Sequence, residues 1–227
     1  MFDVEETKER QFQIMIDYRR EHGLETLGLM TNQAWLDDPK RLIFTLSRYK
    51  FVSKMLAGKT NVLEVGCGDA FFTRLVVAEV ENLTAVDFDK AFVDDVNRRM
   101  SPRWEFECRV HNMLDGPVSG TFDAAYCLDV LEHIDKKDEH RFLTNMFASL
   151  DPRGVAIIGI PSLESQAYAT PISKQGHVNC KSMPDLKNTL ARHFDNVFMF
   201  SMNDEVIHTG FHKMSNYLIA MCCGKKS

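Results

Sequence analysis

The sequence predicts an α/β protein: a doubly wound, mostly parallel sheet of seven strands, ending in an antiparallel C-terminal strand pair. Three observations predict it. Short apolar runs at Val62–Val65, Leu83–Val86, Trp104–Val110, Phe122–Leu128 and Val155–Ile160 alternate with helix-like runs at Phe71–Val80, Lys90–Met100 and Lys137–Leu150. Such alternation is the pattern of βαβ units, with helices on both faces of a parallel sheet. The later runs "NVFMFSMNDEV" and "MSNYLIAMCCG" are joined by a loop that permits an antiparallel pair but no helical crossover. With 227 residues, 44 % of them hydrophobic, the chain can bury a full core as one such domain with an appendage.

The appendage is residues 1–58, a helical cap; residues 59–227 form the sheet domain. In "VEETKERQFQIMIDYRREHG", Phe12, Met15 and Ile16 recur at helical spacing and Gly23 ends the run. "DDPKRLIFTLSRYKFVSKMLAG" predicts a second helix, with Asp38 as cap, Pro39 in the first turn and Gly58 at the end. These two amphipathic helices precede the first strand, so they are expected to lie as a lid over the ligand pocket, with Trp35 near its entrance. Between the fifth strand and the terminal pair, "SMPDLKNTLARHF" reads as a helix capped by Ser182 with Pro184 in its first turn.

Composition excludes several classes. A net charge of −5 leaves no electrostatic footprint for nucleic acid, and no basic run suggests a membrane surface. The acidic, polar "MFDVEETKER" is no secretory leader, and no apolar run approaches the roughly 20 residues of a membrane span. Cys67, Cys108, Cys127, Cys180, Cys222 and Cys223 form no CxxC pair and read as reduced core thiols of a cytoplasmic protein. His177 and Cys180 in "HVNC" supply two ligands where a closed zinc site needs four, so no metal is expected.

The chemistry centres on "VLEVGCGDAFF", Val62 to Phe72. Gly66 and Gly68 follow a strand and let backbone approach a ligand. A dinucleotide fingerprint would place a third glycine at position 71, where the chain has Phe71. Instead Glu64 stands two residues before the first glycine, where a carboxylate would repel a pyrophosphate and suit an ammonium group. Asp87 ends the next strand, placed to accept two ribose hydroxyls. An ammonium at one end, a ribose at the other and no phosphate clamp describe S-adenosylmethionine better than NAD.

"VLEVGCGDA", "AVDFD", "VHNMLD", "FDAAYCLDVLEHI" and "LDPRGVAIIGIP" stand in the order and spacing of a class I S-adenosylmethionine-dependent methyltransferase. The resemblance covers roughly residues 40–160 and is nearest to the small-molecule group that includes ubiquinone-biosynthesis O-methyltransferases. It implies a Rossmann-like methyltransferase fold with S-adenosyl-L-methionine as cofactor. Glu64, Gly66, Cys67 and Gly68 would form the turn under the methionine moiety, and Asp87 would bind the ribose, with Phe88 beside the adenine. Asn112 stands where the family usually has Asp to hold the adenine amino group; Met113 would pack on the ring. Leu128 and Asp129 would face the methionine end. Arg48 in "SRYKF" resembles an arginine that clamps the methionine carboxylate, with Arg41 as the alternative.

Methyl transfer from a sulfonium needs a base only when the acceptor must lose a proton, and histidine is the commonest choice. The candidates are His133 at the end of "LDVLEH", His177 in the loop after the fifth strand, and His208 between the last two strands; His212 ranks below them. His177 and His208 are expected to flank the acceptor. Asp129, Glu132 and His133 could form a metal cluster only if a helix began early. No Asn/Asp-Pro-Pro-aromatic signature follows the fourth strand, and Cys127 lacks the preceding proline of cytosine-C5 enzymes. A small molecule methylated on oxygen is the reading left. Another transferase on the same fold, such as an aminopropyltransferase, and a cofactor-binding regulatory or scaffold protein without turnover are the alternatives.

Overall fold

The computed structural model describes residues 6–226, so the first five residues of the expected cap lie outside the described residues. Eight strands form one sheet: β1 (Asn61–Val65), β2 (Asn82–Asp87), β3 (Glu107–Val110), β4 (Phe122–Leu128), β5 (Leu150–Pro161), β6 (Phe194–Asn203), β7 (Val206–His208) and β8 (Tyr217–Lys225). Their order is β3-β2-β1-β4-β5-β8-β6-β7. β1 to β5 pair in parallel, and β8 inserts antiparallel between β5 and β6. The sheet is thus the expected one with an eighth strand added. After Asp204, at φ +47°, the chain folds back and β7 pairs with β6. Three residues are too few for an alternation pattern to reveal.

Strand pleat sorts the core into two layers. Along β1, Leu63 and Val65 face one layer and Val62 the other; along β4, Phe122, Ala125 and Cys127 face the first, while Ala124, Tyr126 and Leu128 face the second. Helices α6 (Glu139–Ala148) and α8 (Met183–Leu190) cover the first layer through Phe142, Leu143, Met146, Leu186 and Leu190. α3 (Lys40–Met55), α4 (Arg74–Val77) and α5 (Lys90–Arg99) cover the second through Tyr49, Val52, Val76, Val93 and Val96. Ser182 caps α8 as expected, accepting from Asp185 N. α3 instead has Pro39 at its N-cap, with Asp38 Oδ1 accepting from Lys40 N at 3.3 Å. α5 is capped by Asp89, which accepts from Ala91 N.

Three local expectations change. The run Phe71–Val80 yields only the single helical turn of α4, because Ala70 takes φ +48° and delays the helix. Among the described residues the N-terminal region holds three α-helices, not two. α1 (Gln13–His22) ends at Gly23, as expected, but α2 (Leu29–Asp37) follows before α3. A further short helix, α7 (Pro171–Gly176), follows β5. All six cysteines are free thiols, and among the described residues no helix is long and apolar enough to cross a membrane.

The chain leaves β1 toward β2 and β3 on one side, and returns through β4 and β5 on the other. Ligands of open α/β sheets bind where that order reverses, beyond the carboxyl ends of the strands. The ends of β1, β2 and β4 carry the glycine turn, Asp87 and Asp129.

Candidate functional site

The glycine turn is held from inside. Gly66 N and Cys67 N both donate to Val86 O, at 2.8 and 3.2 Å, and Gly68 N donates to Asp87 Oδ2 at 2.9 Å. Three successive N–H groups are therefore used within the protein, which leaves no cluster of donors for a pyrophosphate. Gly66 and Gly68 take φ +76° and +53°. At Gly66 a Cβ would lie 2.2 Å from Val130 Cγ2, and at Gly68 one would lie 2.7 Å from Met30 Sδ. The positive φ favours glycine at both positions, and at Gly66 the branched Val130 side chain also blocks a Cβ.

Glu64 lies beneath the turn. The pleat sends its side chain to the face shared with Val62 and Tyr126, where it is 1 % exposed. Tyr49 Oη and Thr73 Oγ1 each donate to its carboxylate at 2.7 Å. Burial outweighs these two donors and raises its pKa to about 7. In this position its carboxylate faces Tyr49 of α3 and Thr73 at the start of α4. Tyr49 and Thr73 carried no sequence signal beyond their proximity to the turn.

Across the turn, Arg48 Nη1 donates to Asp129 Oδ2 at 2.6 Å, and its guanidinium lies 3.7 Å from the centre of the Tyr217 ring. Asp129 takes φ +57°, and its N–H reaches both Gly159 O and Tyr217 Oη. The fold thus joins α3, the end of β4 and the start of β8. A crevice of about 40 Å³ opens beside Arg48, lined also by Phe44, Met202, Asp204, Asn216 and Tyr217. Arg41 instead faces Asp37 at 3.9 Å on the exposed face of the cap. Leu128, just before Asp129, is buried against Gly159.

Asp87 is 7 % exposed, and its second oxygen accepts from Asp89 N at 2.9 Å. Phe88 beside it is 74 % exposed. Asn112 is exposed, and its Oδ1 accepts from Leu114 N at 3.0 Å. Met113 is 3 % exposed and joins the core layer covered by α6.

The histidines divide. His133 and His177 come together, with ring centres 5.2 Å apart. Val178 N and Asn179 N both donate to Glu132 O at 2.9 Å, tying the loop after β5 to the turn after β4. His133 Nδ1 bonds Gly176 O and His177 Nδ1 bonds Gln166 Oε1, each at 2.9 Å. Both partners accept, so each ring carries its proton on Nδ1 and presents Nε2 as an acceptor. Burial, then the charge of His133, lowers the pKa of His177. Glu132 is fully buried, and neither carboxylate oxygen has a hydrogen-bond partner among the described residues. One ligand atom from each of Glu132, His133 and His177 lies within 4.8 Å of the others. The sequence had paired these residues differently, because only the fold brings positions 133 and 177 together.

His208 is elsewhere. On β7, at the sheet edge, its Nε2 bonds Asn203 Oδ1 and its Nδ1 accepts from Gly210 N, each at 2.9 Å. Both nitrogens are engaged within the hairpin. His212 lies in a short helical turn between β7 and β8.

Asp69 and Val130 are site residues that the sequence reading passed over. Asp69 binds α2 and Val130 closes over Gly66. Adjacency to the glycine turn was the one available signal for Asp69.

Comparison with known proteins agrees with this geometry. Residues 62–154 match the family described as "Methyltransferase domain". The ubiquinone biosynthesis O-methyltransferase of Rickettsia bellii (strain OSU 85-389) is 27 % identical over 113 residues, 48 % of this chain and 45 % of that protein. A probable S-adenosylmethionine-dependent methyltransferase of Mycolicibacterium smegmatis is 29 % identical over 115 residues, 50 % of this chain and 42 % of that protein. The chain thus spans less than half the length of these curated relatives. The N-methyltransferase NodS of Bradyrhizobium japonicum WM9, solved with S-adenosyl-L-homocysteine, superposes with a TM-score of 0.59 at 18 % identity, covering 83 % of this chain and 90 % of that one. A possible histamine N-methyltransferase of Thermotoga maritima gives 0.65 at 15 % identity, over 86 % and 94 %. At these identities the solved structures share the fold. Over residues 62–154 the chain is thus similar to the methyltransferase domain family, and its fold is that of solved S-adenosylmethionine-dependent methyltransferases.

Proposed function

We propose that this protein transfers a methyl group from S-adenosylmethionine to a hydroxyl of a small molecule. The observation that carries the oxygen assignment is the His133–His177 pair, each ring with Nε2 left as an acceptor, on the loops that follow β4 and β5. The curated relatives named as O-methyltransferases support it. In this reading Arg48 and Asp129 separate to hold the two charges of the methionine moiety, the carboxylate on Arg48 and the ammonium on Asp129. Asp87 takes the ribose hydroxyls. Phe88 and Asn112 border the adenine, with Met113 and Leu128 as the apolar floor. Gly66, Cys67 and Gly68 give close backbone approach, and Glu64 braces them from below.

The acceptor oxygen attacks the methyl carbon in line as the carbon–sulfur bond breaks. S-adenosylhomocysteine leaves as a neutral thioether, and the hydroxyl proton passes to a histidine Nε2. Because the sulfonium is already activated, alignment supplies much of the rate. Acceptor-dependent formation of S-adenosylhomocysteine across a panel of phenols, catechols and amines tests the reading. Turnover of amines alone would overturn the oxygen assignment, and no turnover with intact cofactor binding would favour a regulatory protein.

A divalent cation held by Glu132, His133 and His177 is a second reading. One observation favours it: a fully buried carboxylate, without a hydrogen-bond partner among the described residues, beside two imidazoles. Dialysis against a chelator, followed by metal analysis and add-back, separates this reading from a plain histidine base.

A further inference from the structure

α2 begins without a cap of its own. Its N-cap residue is Gly28, which has no side chain to satisfy the free N–H groups of the first turn. Asp69, next to Gly68 in the glycine turn, fills that role from 38 residues away. Its Oδ2 accepts from Thr31 N at 2.7 Å, and its Oδ1 accepts from Thr31 Oγ1 and Phe71 N, both at 3.2 Å. Asp69 is 5 % exposed and Thr31 3 %. The fit is close enough that a Cβ on Gly28 would sit 2.4 Å from Asp69 Cγ. Arg99 Nη2 donates to Asp69 O at 2.7 Å and is itself paired with Asp95, so the backbone of the turn is anchored from α5 as well. Met30, one residue before Thr31, lays its sulfur on Gly68.

We propose that Asp69 is a positioning residue for the cofactor: it latches α2 onto the glycine turn, so that the N-terminal helices close over whatever the turn holds. The inference rests on the reading of that turn as the S-adenosylmethionine site. Asp69 touches no reacting atom; it sets the position of α2 relative to the turn. Gly28 and Thr31 are the helix side of the latch, and Asp69 is the turn side. Met30 has an unbranched, flexible side chain that can swing off Gly68 while the α2 backbone stays docked.

The test is a double-mutant cycle on the full chain, read by calorimetry with S-adenosylhomocysteine and by hydrogen exchange in residues 29–37. Asp69→Ala is expected to weaken S-adenosylhomocysteine binding by about 3- to 30-fold, the loss of one helix cap, and to abolish exchange protection at the start of α2. Asp69→Asn keeps an acceptor oxygen and should recover affinity to within about threefold of wild type. Gly28→Ala alters no turn residue, yet should reproduce Asp69→Ala because its methyl displaces the carboxylate. The pair combined should be no worse than Asp69→Ala alone. Wild-type affinity and wild-type protection in Gly28→Ala would overturn the latch, as would weaker binding in Asp69→Ala with α2 still protected. If Asp69→Ala fails to fold, Gly28→Ala and Asp69→Asn decide. Failure of the wild-type chain to bind S-adenosylhomocysteine would overturn the cofactor reading itself, and this inference with it.

Discussion

Asp87 serves two backbone donors at once, Gly68 N with one oxygen and Asp89 N with the other. Ionised carboxylates keep lone pairs beyond those two, which suits added ribose hydroxyls. Asp87→Ala should therefore weaken S-adenosylhomocysteine binding by about 1–3 kcal/mol. Unchanged affinity by calorimetry would mean the ribose sits elsewhere. For the histidines, replacing the base with glutamine should lower kcat by about 10²–10⁴-fold with cofactor affinity unchanged. A histidine that only contacts substrate should instead raise KM. His208→Gln should leave both constants near wild type, since both ring nitrogens hold the hairpin. Much at this scale was legible in sequence: two glycines, the acid ending β2 and the arginine of α3 all border one end of the sheet. The burial of Glu64 was not legible from its spacing alone. The strand period already assigned it to the side of Val62, and that side lies under helices. The His133–His177 contact could not be read, because nothing local couples two loops that follow different strands.

At the scale of elements, the βα alternation located the five parallel strands, since the inner ones are largely buried on both faces. The bounds moved at the edge strand β3, which starts at Glu107 rather than Trp104, and at β5, which starts at Leu150 rather than Val155. α2 was invisible for a definable reason. Its first turn has no capping side chain, and "LMTNQAWLD" places no clean apolar stripe. Its start is determined by Asp69, and its outer face leaves Leu29, Trp35 and Leu36 exposed. Helices joined to the core mainly through such contacts are separable from it. Removal of residues 1–35, which takes away α1 and most of α2, should leave a chain with a cooperative thermal transition and weakened S-adenosylhomocysteine binding. Full affinity and full methyl transfer in that truncation would refute a role for the N-terminal helices as a lid.

For the whole molecule, stability and site share one buried carboxylate. The pKa of Glu64 is raised to about 7 from 4.5 by burial. The folded state therefore holds this proton more tightly than the unfolded chain does. Its contribution is fully present below the unfolded pKa and is lost as pH rises from about 4.5 through 7. The shift corresponds to about 3 kcal/mol. Glu64→Gln, which keeps the shape and an acceptor for Tyr49 or Thr73, should flatten the pH dependence of the unfolding free energy across that window. An unchanged pH slope in denaturant titrations would show that another group carries it. The central claim concerns the ligand that this sheet and turn hold. The most direct measurement is calorimetric titration of the wild-type chain with S-adenosylhomocysteine and, separately, with NAD. Saturable one-site binding of S-adenosylhomocysteine with no heat from NAD is the predicted result; heat from NAD and none from S-adenosylhomocysteine would contradict the account.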